Sequence, residues 1–568
     1  MFKNRPYQDA QLEASEAAYN RGVTKQVILA APGTGKSHFI ANMPVRMSKY
    51  LNGQSLVIVH REELINQDIE KLRIVNPDLH ISKEKAEEYA DPNADILVAS
   101  IASIGRLNSK RADRFNWDRI DKIQTDECQH SPATTYMNIY EKAGVLNPNT
   151  KKLHIGLTAT ATGRVDGKAL NKVFQEIVHT YSLRDAIQDG WLVDIKGIKV
   201  NTESVLDEVK VSGGDFQIDS LAEVVNNPRR NQLAVKAWQQ YGENRQTVAF
   251  TVDIQHAVDA AAMFNHYGVP SEAIWGNDPK RAEKLTAYRN GDFKCLFNCG
   301  ILIEGYDNWR IGCILHMCPT KSSIKYIQTT GRGTRLQEGT GNLLIANEGW
   351  TNLDSPLKRD CIVIDLCDLS SKHSLITLPT LFGLNAKLNL QGTSLVGATR
   401  AIEAAQERYS HIDFSTLDDI TKLEAYIESV DLFNIHYPEE VESNSELTWN
   451  HAVGGGYVLL LPTKGEKVQI KQNLLDMWEV SASISGRRYR GQREALGEAF
   501  RVADDLIHAQ APDALKIVKR EGERWHNDPV TPKQLKTLAK LFGGKQLPKN
   551  LTKGEASKII GNMFSSKA

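Results

Sequence analysis

Short apolar runs separated by polar, turn-rich segments recur through the first two thirds of the chain. Val27–Ala30, Ser55–Val59, Ile96–Ala99, Ile120–Thr125 and Leu153–Leu157 are of strand length, and most are apolar throughout rather than alternating. Such runs fit parallel strands covered by helices on both faces. They predict a doubly wound α/β domain over residues 1–180. A polar stretch, Tyr181–Gly190, reads as a linker. Strand signals resume at Val248–Thr251, Lys294–Asn298, Gly312–His316 and Cys361–Leu366, predicting a second α/β domain over 181–370. Beyond it the pattern changes. Thr393–Glu407 and Thr416–Val430 have helical character, giving a helical connector over 371–440. Leu447–Val480, with Gly454-Gly455-Gly456, Tyr457–Leu461 and a short run at Val468–Ile470, predicts a small β module over 441–485. Residues 486–568 read as helices broken at Pro512, Pro529 and Gly543-Gly544. The fold class is α/β, with two tandem doubly wound domains followed by a smaller mixed α+β C-terminal region.

Candidate chemistry sits where the first run ends. Ala30-Ala31-Pro32-Gly33-Thr34-Gly35-Lys36-Ser37 fits a phosphate loop in the form A-x-x-x-x-G-K-S, with Ala30 where the pattern has its first glycine. The function of such a loop survives that change. Backbone N–H groups curl round the phosphates, the lysine neutralises them and the hydroxyl holds Mg²⁺. About one helix upstream, Arg5-Pro6-Tyr7-Gln8 offers an amide that can pair with adenine and a ring that can stack near it. A later strand delivers adjacent carboxylates, Asp126 and Glu127, at its C-terminal end, where α/β sheets place their ligands. Asp126 suits Mg²⁺, and Glu127 suits activation of the water that attacks the γ-phosphate.

Gly156–Gly167, read as GLTATATGRVDG, resembles the "L-T-A-T-P-x-R-x-D-G" segment of superfamily 2 helicases, in the branch containing type III restriction translocases and phage branch-migration helicases. The resemblance extends over most of residues 5–370. Val59–Leu64 resembles that family's "P-R-x-E-L", Val98–Ser103 its "V-A-T-x-Q-S", Glu304–Asp307 its "E-G-x-D", and Gln328–Arg335 its "Q-x-x-G-R-x-x-R". It implies two RecA-like domains with ATP and Mg²⁺ in the cleft between them. Tyr7, Gln8, Pro32, Gly33, Thr34, Gly35, Lys36 and Ser37 would meet the nucleotide from one side. Gly305, Asp307, Gln328 and the arginine pair Arg332 and Arg335 would meet it from the other. Nucleic acid would run past Arg61, Ser100, Thr158, Thr160 and Thr251. One departure stands out: the family's D-E-x-H has Gln129 in its fourth place, with a histidine one residue later at His130.

Composition adds a charge asymmetry. Lysine and arginine total 69 against 69 acidic residues, yet residues 486–568 hold 17 basic and 9 acidic side chains, net +8. Arg487–Arg490 and lysines 533, 536 and 540, at helical spacing, suit a phosphate backbone as well as a solvated face. The seven cysteines form no C-x-x-C pair and lie mostly in apolar runs, which predicts buried thiols in a reducing compartment. Trp449, Trp478 and Trp525 read as core residues, with base stacking as the alternative. No run approaches the roughly 18 apolar residues of a membrane span. The expectation is an ATP-dependent DNA helicase of replication, recombination or repair. It would be monomeric, cytoplasmic and possibly phage-encoded, acting on single-stranded, duplex or branched DNA with replication or recombination proteins as possible partners. A duplex translocase that does not separate strands, an RNA helicase and a non-enzymatic nucleic-acid scaffold are the alternatives.

Overall fold

A computed structural model describes residues 4–519 apart from 61, 160–169, 304, 347–357, 371, 374, 409–413, 424–438, 448, 453–455, 464–465 and 474–476, and beyond them 530–532, 534, 535, 538 and 556. The chain divides into two units, Met1–Thr377 and Leu378–Ala568.

The first unit holds two parallel sheets. In the first, β1 (Lys25–Ala30), β2 (Gln54–Val59), β3 (Ile81–Glu84), β4 (Ile96–Ser100), β5 (Ile120–Thr125), β6 (Leu153–Thr158) and β7 (Glu176–Tyr181) stand in the order β3-β4-β2-β5-β6-β1-β7. β2 and β4 are buried at every position, as continuous apolar runs between helical layers must be. Helices α1 (Pro6–Asn20) and α2 (Lys36–Arg46) cover part of this sheet, packing Leu12, Phe39, Ile40 and Met43 into its core. β1, β5 and β6 all end on the same edge of the sheet, which brings residues far apart in sequence to one rim.

The second sheet takes β8 (Asp194–Val205), β11 (Thr247–Phe250), β12 (Ser271–Ile274), β13 (Cys295–Asn298), β14 (Cys313–His316) and β15 (Asp360–Leu369) in the order β12-β13-β11-β14-β15-β8. β9 (Val211–Ser212) and β10 (Asp215–Phe216) form a separate small hairpin. The two sheets and their helices are the RecA-like pair that the pattern predicts. The stretch Tyr181–Gly190 is more than a linker. Tyr181 ends β7, and Ser182 caps a short helix, Leu183–Gln188, through a reciprocal capping box with Asp185.

The second unit contains an antiparallel sheet of β16 (Asn450–His451), β17 (Tyr457–Leu460), β18 (Lys467–Gln472), β19 (Trp478–Ile484) and β20 (Arg487–Arg493), in that order. Helix Leu496–Gln510 packs Ala499, Phe500, Ala503 and Ile507 against it. The helical expectation from residue 486 is overturned for Arg487–Arg493, which form an edge strand, so a boundary after Ser485 falls in the β19–β20 turn. Trp449 is fully buried edge-on against Phe500 and is a core residue. Trp525, Pro529, Gly543 and lysines 533, 536 and 540 lie outside the described residues. No helix among the described residues is long and apolar enough to cross a membrane.

Candidate functional site

The phosphate loop joins β1 to α2. Gly35 caps the helix with φ of 86°, a left-handed conformation that favours glycine, and a Cβ there would lie 2.9 Å from the Gln8 amide nitrogen. The loop is held from behind. Tyr7 donates its hydroxyl to the Thr34 carbonyl at 2.7 Å, Gln8 Nε2 reaches the same oxygen at 3.4 Å, and Thr34 Oγ1 donates to Ala31 O at 2.7 Å. The sequence pattern places Tyr7 and Gln8 against adenine. The structure instead stacks the Tyr7 ring flat on Tyr181 at 4.1 Å, and Gln8 Oε1 accepts the Arg5 N–H, so these side chains buttress the loop.

At the end of β5, Asp126 and Glu127 are buried beside Lys36. Glu127 sits at φ 49°, a left-handed conformation that costs a non-glycine residue on the order of 1–3 kcal/mol and is found at functional sites. Lys36 Nζ donates to Glu127 Oε1 at 3.1 Å, and Gln129 Nε2 donates to Oε2 at 2.9 Å. Burial raises the Glu127 pKa, but the Lys36 charge and the Gln129 amide outweigh it and leave the carboxyl below its ordinary value. Burial and the neighbouring Glu127 push Asp126 the other way, up to about 8. The paired carboxyls thus hold opposite protonation tendencies, the arrangement that separates acid, base and ligand roles.

Asp68, on the helix Glu62–Val75, carries no sequence signal that marks it as part of the site. It is buried and bonds the Ser37 hydroxyl, and burial raises its pKa. Asp68 Oδ2 and Asp126 Oδ1 are buried with no hydrogen-bond partner. Oxygens stranded this way beside a serine hydroxyl fit a hard divalent cation or its water shell. Ser37 and Asp126 would hold Mg²⁺ there, and bound Mg²⁺ would supply positive charge to the β- and γ-phosphates.

The second domain closes the site. Gln328, on helix Ser323–Thr330, donates Nε2 to Glu127 Oε2 at 3.2 Å. A Cβ on Gly331 would lie 2.6 Å from the Pro32 Cβ, so the phosphate loop and the arginine segment approach backbone to side chain with no room to spare. Arg332 is buried and donates to Tyr306 O at 3.0 Å, and its charge bears on Lys36. Arg335 lies beside Gly33 and forms an ion pair with Asp307 at 3.0 Å. Gly305, with φ of 78°, turns the chain just before Asp307. A second residue without a sequence signal, Lys358, gives Nζ to the carbonyls of Trp309, Ile311 and Gly333 at 3.0, 2.6 and 2.6 Å, tying the two second-domain loops together.

The nucleic-acid residues come out differently. Arg61 and Thr160 lie outside the described residues. Ser100 is buried and its hydroxyl caps helix Ile101–Ile104. Thr251 is buried, and its hydroxyl donates to Asn298 O and Asp253 O. Thr158 is buried at the end of β6. In this conformation all three hydroxyls are internal. His130, one place beyond the family's histidine, stacks on His60 at 4.0 Å, next in sequence to Arg61. The glutamine takes the contact to Glu127, and the histidine takes the contact toward the β2 rim.

A phosphate loop on one doubly wound sheet, a carboxylate pair on its rim and an arginine pair from a second sheet define a two-domain RecA-like ATPase core. Two family models match the chain: "Type III restriction enzyme, res subunit" over residues 1–163 and "Mitochondrial helicase Irc3, C-terminal domain" over residues 428–568. The Schizosaccharomyces pombe protein irc3, by its name a mitochondrial ATP-dependent helicase, is 32% identical over 393 residues, covering 68% of this chain and 60% of the relative. Saccharomyces cerevisiae IRC3, by its name an ATP-dependent helicase, is 29% identical over 395 residues, covering 67% of this chain and 54% of the relative. The chain thus spans less than two thirds of the length of these relatives. Among solved structures, the DNA-bound type ISP restriction-modification enzyme LlaBIII superposes with a TM-score of 0.48 at 16% identity, over 78% of this chain and 34% of that one. In the spans these comparisons cover, the chain is similar to superfamily 2 helicases.

Proposed function

We propose that this chain is an ATP-driven DNA motor that couples hydrolysis to movement along DNA and to its unwinding or remodelling. The observation that carries the reading is the Glu127 carboxylate, held by Lys36 and Gln129 of one domain and reached by Gln328 of the other. Glu127 is placed to polarise the attacking water. Lys36 neutralises the phosphates, and Arg332 and Arg335 meet the charge that grows in the transition state. Because the second domain touches the catalytic carboxylate itself, loss of the γ-phosphate changes the contact between domains, and that change is the stroke that a motor needs. The relatives' names favour a helicase, and the resemblance to restriction translocases favours DNA over RNA. Seven cysteines outside any disulfide suit a reducing compartment such as a cytoplasm.

The test pairs the parent with Lys36→Ala. The parent should hydrolyse ATP faster with DNA than without it or with RNA, and Lys36→Ala should fall to background while keeping a folded circular-dichroism spectrum, with some loss of melting temperature because Glu127 loses its cation. Parental turnover in that variant would remove the phosphate-loop assignment. Displacement of a triplex strand without separation of a forked duplex would make the chain a duplex translocase.

A further inference from the structure

Over β18 to β20 the sheet of the second unit has one face covered by a helix and one that exposes charged side chains, whereas on β17 the second face carries the buried Val458 and the half-buried Leu460. Val468, Ile470, Val480, Ala482 and Ile484 point to the side packed by helix Leu496–Gln510 and are buried. Strand alternation sends the residues between them to the other side. There the register aligns Lys467 with Ser483 and Arg488, and in the next row Gln469 with Ser481 and Arg490. A third row sets Lys471 beside Glu479. Lys471, Arg488 and Arg490 are exposed, and the serines are half-buried between the cationic strands. On β18 to β20 this face carries four cations against one carboxylate, Glu479, which is bound to Arg490 at 2.8 Å.

We infer that this open face is a docking surface for the sugar-phosphate backbone of DNA, a partner that rests on the motor reading above. Neighbouring strands lie about 4.8 Å apart and alternate residues about 6.8 Å apart. Lys467 and Arg488 therefore flank a serine at roughly 10 Å across the sheet, and each strand repeats its outward side chain at short, regular intervals. Cations supply the attraction to phosphates, and hydroxyl and amide groups between them donate to phosphate and sugar oxygens without reading sequence. A protein partner would call for aromatic or aliphatic anchors at the centre of the patch; the aliphatic side chains on this face, Val458 and Leu460, lie on β17 at its margin, and the outward positions of β18, β19 and β20 carry none. The surface straddles residue 485, so the basic character of the C-terminal segment completes a sheet that begins before it.

The test uses the full chain and a labelled forked DNA, with binding followed by anisotropy between about 50 and 200 mM salt. Replacing Lys467, Lys471, Arg488 and Arg490 together by glutamine should weaken binding by on the order of tenfold or more at low salt. It should also flatten the salt dependence by about one unit of slope for each phosphate that is no longer neutralised. Glu479→Gln should do the reverse and tighten binding, a result that misfolding cannot imitate. Parental affinity and salt slope in the quadruple variant, or weaker binding in Glu479→Gln, overturns the assignment. A parent chain that binds no DNA sinks the motor reading instead, so the two failures are separable.

Discussion

Each RecA-like domain buries charge, and the two do it in opposite ways. In the second domain, Asp368 and Arg230 are essentially inaccessible, and their polar atoms are matched. The guanidinium gives Nε and Nη2 to the two carboxylate oxygens at 2.8 Å each, Nη1 goes to Met317 O at 2.7 Å, and Thr202 adds a further donor to Asp368. In the first domain, Asp68, Asp126 and Glu127 are buried together beside the half-buried Lys36, yet Asp68 Oδ2 and Asp126 Oδ1 are left without a donor. A saturated buried pair fixes the position of two elements, here β15 and helix Pro228–Tyr241. An unsaturated cluster costs free energy in the empty protein, and the missing partners describe a ligand.

Three variants press on that contrast. If Arg335 meets charge that grows only in the transition state, as proposed, Arg335→Ala should lower kcat by on the order of 10³ with little change in ATP affinity. Stopped-flow binding of a fluorescent ATP analogue alongside steady-state turnover checks it, and equal losses in both would make Arg335 a ground-state ligand. Asp368→Ala attacks the saturated pair. It should cost about 3–5 kcal/mol of stability by stranding a buried guanidinium, read as a fall in the denaturation midpoint. A drop below about 1 kcal/mol would show that water reaches Arg230. Lys358→Gln loosens the three carbonyls that flank the arginine segment. It should cut kcat by roughly tenfold, since each hydrogen bond removed is worth about 1 kcal/mol. If Lys358 acts through Arg335, the double variant should be no slower than Arg335→Ala, and an additive double would make Lys358 merely structural.

Much of this site is legible in the sequence, because its chemistry lives in short contiguous motifs. The loop Ala30–Ser37, the pair Asp126-Glu127 and the run Gln328–Arg335 each carry their spacing with them. The central strands β2 and β4 are equally readable, since they are near-continuous apolar runs, and β5 is marked by the carboxylate pair that follows it. Edge strands are not. β3 (Ile81–Glu84), β7 (Glu176–Tyr181) and β8 (Asp194–Val205) have one neighbour each and a half-wetted pattern, so their polar residues read as loop. Asp68 and Lys358 are invisible for another reason. Each is an ordinary charged residue in a polar segment, and its role comes from burial against a partner that sequence spacing does not reveal, 31 residues away in the case of Ser37. The second-unit hairpin escapes the sequence pattern because Arg487–Arg493, read RRYRGQR, is mostly arginine and offers Tyr489 as its one large apolar ring, so no apolar period marks it as a strand.

Titration separates the two kinds of buried charge. Asp126 holds its proton up to about pH 8 in the folded, nucleotide-free protein, against an ordinary value of 3.8, because burial and the Glu127 charge disfavour the anion. Between about pH 4 and pH 8 the folded state therefore binds a proton that the unfolded chain has released, so this group's contribution to stability falls as pH rises through that window and is flat above it. Asp126→Asn removes the titration. Its melting temperature, measured with chelator and without nucleotide, should gain on the parent steadily from pH 5 to pH 8, at about 2–4 °C for each kcal/mol, and the gain should then level off. Glu127, lowered from its ordinary 4.5, titrates below this range, and Asp68 is present in both proteins and largely cancels in the difference. The same substitution should abolish turnover, because the oxygen that destabilises the empty site is the one that fits Mg²⁺. A pH-independent difference in melting temperature would mean that Asp126 is already ionised in the empty site, and the contrast with Asp368 would then rest on geometry alone.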